Sequence, residues 1–297
     1  MEKKQDKFIE KILENISKVK ISEWENYVKE APTNLFTGKN YKGFNILALY
    51  LDTLINGFSS SKYATFNSIS KAGGKLKKGA KGCIIEFFNV TFKDKETNKI
   101  VPNEKIKNLS KEDLDKLKHI VTVKNYTVFN SHWIENIEEI NLSVNDLTEQ
   151  EDEEIHSSEE FISKLKQKGL NLKYSISPVA FYNPILDYIN IPKKELFISK
   201  SKYYSTIFHE IIHWTGHKSR LNRIGIEENS KEKYSFEELV AEQGAMLLCF
   251  QFGIKGEFVN SLRYLKGWLK YNTEAPSKVL RKAFSESKKA KKYLENI

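Results

Sequence analysis

The sequence predicts an α+β protein of two domains. Segments whose apolar residues recur every three or four positions, as in amphipathic helices, are separated by runs rich in β-branched and aromatic residues, as in strands. A polar, acidic segment at 141–160 has the composition of a solvated linker. With 297 residues the chain is long enough for one large or two ordinary domains, and we place two of them at 1–140 and 161–297.

The first domain combines helices with a pair of strands. Its opening helix has apolar residues at Phe8, Ile12 and Ile16, and the two strands are rich in Ile, Val, Phe and Tyr. A turn rich in Gly and Lys precedes the first strand. The predicted elements are helices over 8–30, over 45–55 and after residue 59, a turn over 72–82, and strands over 83–92 and 119–129 on either side of a Lys-rich excursion.

The second domain is predicted to be mostly helical, with a small edge sheet. Three prolines, at 178, 184 and 192, accompany the alternating segment 174–191. Because proline cannot donate to a strand ladder, this segment is predicted to be an edge strand or a loop. The predicted helices cover 161–170, 203–215, 236–252, 258–271 and the basic tail 277–297.

Charge and composition exclude several classes of protein. The net charge of +9 argues against a mimic of DNA, which must be acidic, and it is compatible with nucleic-acid binding, although a solvated Lys-rich surface is its commoner source. The longest strongly apolar stretch, 245–250, is far shorter than the roughly 18 residues of a membrane span, so neither a membrane helix nor a signal peptide is predicted. Two cysteines inside apolar runs predict a reducing compartment, the cytoplasm.

The most specific motif is the pentapeptide His209-Glu210-Ile211-Ile212-His213, which falls inside a predicted helix. The apolar positions of this helix share one side, and the two histidines lie one turn apart on the other. Two imidazoles at i and i+4 can bind one Zn²⁺, and the glutamate between them can act on water as a general base.

A catalytic zinc site of this kind needs a third protein ligand. Ser219 stands where one related motif has a third histidine, so the ligand must come from elsewhere. In the next predicted helix, Glu238 and Glu242 lie one turn apart among small alanines. We assign Glu238 as the third ligand and Glu242 as the carboxylate that orients a ligand histidine. His217 is an alternative ligand, and Glu237 is a spare carboxylate that is expected to face solvent.

These residues resemble the ArdC antirestriction family. The runs that carry the resemblance are Phe208-His-Glu-Ile-Ile-His-Trp-Thr-Gly-His, Arg220-Leu-Asn-Arg and Glu237-Glu-Leu-Val-Ala-Glu, which look like that family's C-terminal zincin-like metallopeptidase domain. The segment 182–192 resembles the family's edge segment, which in zincins lies along the substrate. The resemblance therefore implies a zincin-like metallopeptidase domain over 161–297, with an unidentified protein or peptide as its substrate.

The first domain resembles the N-terminal domain of the same family. The matching segments are 34–45, Ala64-Thr-Phe66, Gly73 to Gly82 and Tyr126 to Asn130. In that family the domain is shared with TraC-type plasmid primases and associated with single-stranded DNA, so the resemblance implies a DNA-binding domain. Ala64 departs from the pattern, in which we expect tryptophan, so a stacking role there has either moved to Tyr63 or been lost.

Single-strand binders combine a cationic groove with exposed aromatic residues, and residues 36–82 interleave the two. Taken with the resemblance, this pattern predicts a DNA surface, while Phe66 and Trp24 are expected in the core. The predicted DNA-binding residues are Lys39, Tyr41, Lys62, Tyr63, Lys75, Lys77, Lys78 and Lys81.

The sequence leads to the hypothesis of a cytoplasmic, single-stranded DNA-binding zinc metallopeptidase of a plasmid, phage or other mobile element. Glu210 is its base, and the oxyanion donor is left open among His217, Tyr234 and Tyr182. The rival hypothesis is a non-catalytic antirestriction protein that coats single-stranded DNA and keeps a structural zinc. The presence of Glu210 favours catalysis, because a structural zinc site needs no base between its histidines.

Overall fold

The computed structural model describes residues 2–18, 31–106, 109–110, 113, 116–137, 151–223, 230–254, 267 and 274–297. The helices are α1 (Glu2–Lys18), α2 (Phe44–Ile55), α3 (Phe66–Lys71), α4 (Asn103–Ile106), α5 (Glu151–Gln167), α6 (Lys200–Thr215), α7 (Lys231–Gln251) and α8 (Pro276–Asn296). The strands are β1 (Thr33–Asn34), β2 (Lys62–Thr65), β3 (Lys75–Leu76), β4 (Cys83–Asp94), β5 (Ile100–Val101), β6 (Leu117–Asn130), β7 (Ile134–Glu135), β8 (Leu172–Ser175), β9 (Phe181–Asn183) and β10 (Tyr188–Pro192). The predicted α+β class is confirmed.

The first half of the chain is built on a five-stranded sheet with the strand order β1-β2-β6-β4-β5. β4 and β6 form a long antiparallel pair in which Cys83 lies opposite Val128 and Asp94 opposite Leu117. α2 packs on one face of the sheet, where Leu49 contributes to a buried cluster with Val128. α3 contributes to a second buried cluster, with β2 and β7.

Among the described residues, the second half contains a three-stranded sheet and four long helices, α5 to α8. The sheet has the order β8-β10-β9, in which β10 pairs parallel with β8 and antiparallel with β9. β9 is therefore an edge strand, as predicted from the prolines of segment 174–191. The same prediction is wrong for β10, which is the central strand of this sheet, and whose proline, Pro192, is its last residue. α6 crosses beside β9 and β10, and α7 and α8 pack against it.

One hydrophobic core joins the two halves. It includes side chains of α1 and α2 together with side chains of α5, α6, α7 and α8. The rings of Phe44 in α2 and Phe284 in α8 have their centroids 4.2 Å apart, and Arg281 of α8 forms an ion pair with the buried Glu86 of β4. The C-terminal helix thus packs against elements from both halves of the chain.

Part of the predicted linker is helical. Residues 151–160 form the beginning of α5, which starts ten residues before the predicted helix, whereas residues 138–150 lie outside the described residues. The contacts of two polar side chains in this stretch explain the difference, because one is buried and the other is held by hydrogen bonds to the rest of the second half. Ser158 is fully buried, and Glu159 accepts hydrogen bonds from Lys194 and the Tyr204 hydroxyl.

The predicted helix 258–271 and the end of the predicted helix 8–30 fall almost entirely outside the described residues. The basic tail forms α8, as predicted. Among the helices that the structure describes, none combines the length and the apolar composition needed to cross a membrane.

Candidate metal centre

The HExxH motif lies in the second half of α6. Ser199 caps this helix by accepting a hydrogen bond from the Lys202 backbone N–H, and Gly216 follows its last turn. The apolar side of the helix is fully buried, with Ile207, Phe208, Ile211 and Ile212 in the core. The opposite side, which carries His209 and His213, faces α7.

The three predicted metal ligands meet between α6 and α7. His209 Nε2 and His213 Nε2 lie 3.1 Å apart, and each is 3.5 Å from one carboxylate oxygen of Glu238. Donors that bind one tetrahedral zinc ion at about 2.0–2.1 Å stand about 3.3 Å from one another. The three side chains therefore fit a single ion, and His217 is not part of this cluster among the described residues.

Two further carboxylates lie beside the Nδ1 nitrogens of the two imidazoles. His209 Nδ1 is 3.4 Å from a carboxylate oxygen of Glu242, and His213 Nδ1 is 3.2 Å from one of Glu237. A carboxylate at Nδ1 keeps the proton on that nitrogen, which leaves the Nε2 lone pair for a metal. Both histidines are thus oriented with Nε2 towards Glu238.

The expectation that Glu237 faces solvent is wrong. Its side chain is only 2% exposed and forms a bidentate ion pair with Arg223, whose Nη2 and Nε lie 2.6 and 2.9 Å from the two carboxylate oxygens. Arg223 also donates to the carbonyl of Ile212 and to Thr215 Oγ1, near the end of α6. Arg223 has no predicted role in the site, although arginine is scarce in this Lys-rich chain and is well suited to buried, bidentate ion pairs.

The charges of the site shift one another's pKa values. Burial lowers the pKa of His209 and of His213, but the neighbouring carboxylates raise it more, so the net shift is upward. Burial raises the pKa of Glu238, but the two histidines lower it more, so the net shift is downward. The carboxylates therefore favour proton binding by the two imidazoles, the imidazoles favour ionisation of Glu238, and a divalent cation would compete with those protons.

The three candidate oxyanion donors lie in different surroundings. Tyr234 is half-exposed beside Glu238; burial, the charge of Glu238 and a hydrogen bond with Glu238 raise the pKa of its hydroxyl, which stays protonated. The Tyr182 hydroxyl already donates to Asp187 at 2.7 Å. His217 is buried, with its Nδ1 2.8 Å from a neighbouring serine hydroxyl.

Arg220 ties the loop after α6 to the edge of the sheet. Its guanidinium lies 4.1 Å from the ring centroid of Trp214 and donates to the carbonyl of the same residue. It also forms an ion pair with Asp187, between β9 and β10, and donates to the Tyr182 hydroxyl of β9. These contacts hold the edge strand beside the helix that carries the motif.

The structure corrects part of the predicted DNA surface. Tyr63 is fully buried, and its hydroxyl hydrogen-bonds to Asp52 of α2, so it is not available to stack on a base. Tyr41 is partly buried and donates to the Tyr63 carbonyl. Ala64 is also fully buried, and Phe66, expected in the core, is 56% exposed.

The lysines predicted to bind DNA are at the surface. Lys62 is half-buried, and the others are exposed, namely Lys39, Lys75, Lys77, Lys78 and Lys81. The Lys77 ammonium donates to the His132 carbonyl. Trp24 lies outside the described residues.

Two family models match the chain, one in each half. A model of the N-terminal domain of the anti-restriction factor ArdC matches residues 2–129, and a model of a zincin-like metallopeptidase matches residues 156–285. Two crystal structures of the antirestriction protein ArdC from the plasmid R388, one metal-free and one with bound Mn(II), are 31% and 29% identical to this chain, with TM-scores of 0.57 and 0.58. Each comparison covers 90% of this chain and 88% of the other.

Curated relatives include a DNA primase TraC of Escherichia coli, which is 29% identical over 266 residues. These residues make up 86% of this chain but 23% of the primase, so the chain spans about a quarter of that protein's length. An uncharacterized protein of Sinorhizobium fredii, y4eC, is 25% identical over 239 residues, which cover 80% of this chain and 72% of that protein.

Proposed function

The chain belongs to the ArdC antirestriction family, and from this membership we propose that it is a single-stranded DNA-binding zinc metallopeptidase that protects an entering plasmid, phage or other mobile element from restriction. The observation that carries the proposal is the convergence of His209, His213 and Glu238, with Glu210 on the same helix turn. The proposal is also supported by the carboxylates of Glu242 and Glu237, each of which lies beside the Nδ1 nitrogen of one imidazole.

Two histidines and one glutamate form the ligand set of many zinc peptidases, and they leave a coordination position open. Bound there, zinc would act as a Lewis acid that polarises a peptide carbonyl and makes water more acidic. Manganese is the second metal to consider, because the ArdC protein of R388 has been crystallised with Mn(II).

The protein's own side chains would handle the proton and the developing charge. Glu210, which is 7% exposed, accepts a proton from the attacking water and returns it to the leaving amine. Tyr234 is the donor we favour for the carbonyl oxygen, because it lies beside Glu238 and stays protonated. The substrate peptide would add as an extra strand along the outer edge of β9, which pairs with no other strand among the described residues.

The DNA-binding half of the proposal rests on different support. Residues 2–129 match the ArdC N-terminal domain, the chain is similar to a DNA primase, and its net charge is +9. Because the chain spans about a quarter of the primase, we propose DNA binding for it but not primer synthesis.

The test measures metal content and proteolysis on the same preparations. Wild type, Glu210→Gln, Glu238→Gln and a control, Glu195→Gln at an exposed position, are assayed for bound zinc and manganese. Cleavage of casein and of the protein itself is followed with and without single-stranded DNA. We expect stoichiometric metal in all but Glu238→Gln, and cleavage only by wild type and the control.

Two other outcomes would decide against parts of the proposal. Bound metal in wild type without cleavage under any condition would favour the rival, a non-catalytic DNA-coating protein with a structural zinc. Absence of bound metal in wild type would contradict the ligand assignment itself.

A further inference from the structure

The long antiparallel pair of β4 and β6, here called the ribbon, has two faces of different chemistry. Residues directly opposite each other in an antiparallel pair point to the same face, and successive residues alternate between faces. α2 covers one face near Ile85 and Val128, which are buried. Further along this face, Phe87 and Tyr126 are 55% and 43% exposed. We call this half-covered side the aromatic face.

The aromatic face is also cationic. The register places Phe87 opposite Lys124, and Lys93 opposite Lys118, so three lysines share the face with the two rings. Neither strand contributes an acidic residue to this face, because Glu86 and Asp94 point to the opposite face of the ribbon. Within the part of the chain that the structure describes, none of the three lysines is paired with a carboxylate.

The two rings present differently oriented surfaces. The centroids of Phe87 and Tyr126 are 6.1 Å apart, and their planes meet at 86°. Bases stacked in a duplex are parallel and occupied by one another, so they have no free faces for such a pair. The bases of a flexible single strand turn independently, and each can stack on one ring while the lysines hold the backbone.

We propose that the aromatic face of the ribbon is the single-stranded DNA-binding platform of this protein, with bases stacked on Phe87 and Tyr126 and phosphates held by Lys93, Lys118 and Lys124. This proposal rests on the DNA-binding half of the proposed function and gives it a place in the fold. It provides the exposed aromatic residues that Tyr63 and Tyr41 do not provide, since their rings are buried wholly or in part.

The test compares substitutions at two sites in the full chain. Binding of a fluorescein-labelled oligothymidylate of about 20 nucleotides is measured by anisotropy, with a duplex of equal length as competitor. Variant one carries Phe87→Ala and Tyr126→Ala, and its conservative partner carries Phe87→Tyr and Tyr126→Phe. Variant two carries Lys75→Ala, Lys77→Ala and Lys78→Ala, in the turn before the ribbon.

We expect variant one to bind at least about tenfold more weakly, in line with the loss of two stacking contacts, and its conservative partner to bind like wild type. Replacing Lys93, Lys118 and Lys124 with Gln should lower the slope of log affinity against log salt by about 2, since each phosphate contact on a single strand contributes about 0.7. Duplex should compete poorly. Unchanged melting temperature and metal content would exclude unfolding as the cause.

Three results would overturn the proposal. Unchanged binding in variant one together with weak binding in variant two would move the DNA site to the turn and leave the DNA-binding function intact. Absence of single-strand binding in wild type would remove that function and the platform together. If variant one does not fold, wild type is photo-crosslinked to a bromodeoxyuridine oligonucleotide, and crosslinks that avoid Phe87 and Tyr126 would reject the platform.

Discussion

Gly244 of α7 lies so close to Ile212 of α6 that a Cβ atom at Gly244 would stand 2.7 Å from the Ile212 side chain. Real carbon atoms do not approach this closely, so any larger residue at 244 would force the helices apart or shift Ile212. The contact lies next to the site along both helices, since Ile212 precedes His213 by one residue and Gly244 follows Glu242 by two. The glycine therefore sets the helix separation at which the carboxylates of α7 reach the histidines of α6.

Gly244→Ala should accordingly destabilise the protein by about 1–3 kcal/mol, the usual cost of overpacking a buried contact, and reduce bound metal. Urea unfolding and metal content are the measurements. In an Ile212→Ala background the obstructing atoms are absent, so the added methyl group should cost little there. An equal cost in both backgrounds would show that the contact with Ile212 is not the cause.

The buried ion pair of Arg223 and Glu237 should be essential for the site. Arg223→Met leaves the Glu237 carboxylate buried without its partner, and breaking such a pair typically costs about 3–5 kcal/mol. The double variant Arg223→Met, Glu237→Gln removes the charge as well and should recover much of the loss. With the single variant Glu237→Gln added, the four unfolding free energies form a double-mutant cycle, and strictly additive effects would contradict the pairing.

Glu242 and Glu238 should affect metal binding to different degrees. Glu242 lies beside the Nδ1 nitrogen of His209, so Glu242→Gln should weaken metal binding about 10- to 100-fold while leaving the ligands in place. Glu238→Ala removes a ligand and should weaken it more. Competition with a chromogenic chelator gives both affinities. Equal losses in the two variants, or a larger loss for Glu242→Gln, would reverse the assignment of their roles.

Local spacing accounts for the part of the site that the sequence predicts. The i, i+4 positions of His209 and His213 depend only on α6 being a helix, and the one-turn spacing of Glu238 and Glu242 depends only on α7 being one. The role of Glu237 does not follow in this way. Every residue of α7 from Glu237 to Cys249 is buried, so the spacing of its apolar residues does not show which side of the helix packs against α6.

The exposed aromatic residues of the DNA surface could not be identified from the sequence either. β2 is covered on both faces, by α2 and α3, so Tyr63 and Ala64 are both fully buried although they alternate. Composition identified the first domain as cationic and aromatic, but which rings remain exposed depends on where two helices end. The exposed pair of Phe87 and Tyr126 becomes evident only from the register of β4 with β6.

Asp52 should make stability depend on pH in a direction unusual for an aspartate. Burial raises its pKa to about 6, and the hydrogen bonds from Tyr63 and Asn56 offset only part of this effect. The folded protein therefore prefers the protonated carboxyl. The stability that this preference contributes is fully present below the unfolded-state pKa of about 4 and is lost as the pH rises through about 6.

Asp52→Asn keeps an oxygen that can accept the hydrogen bond from Tyr63 but does not ionise. Relative to wild type, the variant should gain about 2–3 kcal/mol in unfolding free energy between about pH 4 and about pH 8, since two pKa units correspond to nearly 3 kcal/mol. Urea unfolding of both proteins at a series of pH values measures this difference, in which the other titrating groups cancel. A difference that stays constant across the series would mean that Asp52 ionises as readily in the folded protein as in the unfolded chain, and that its carboxylate is stabilised by more than the two hydrogen bonds named here.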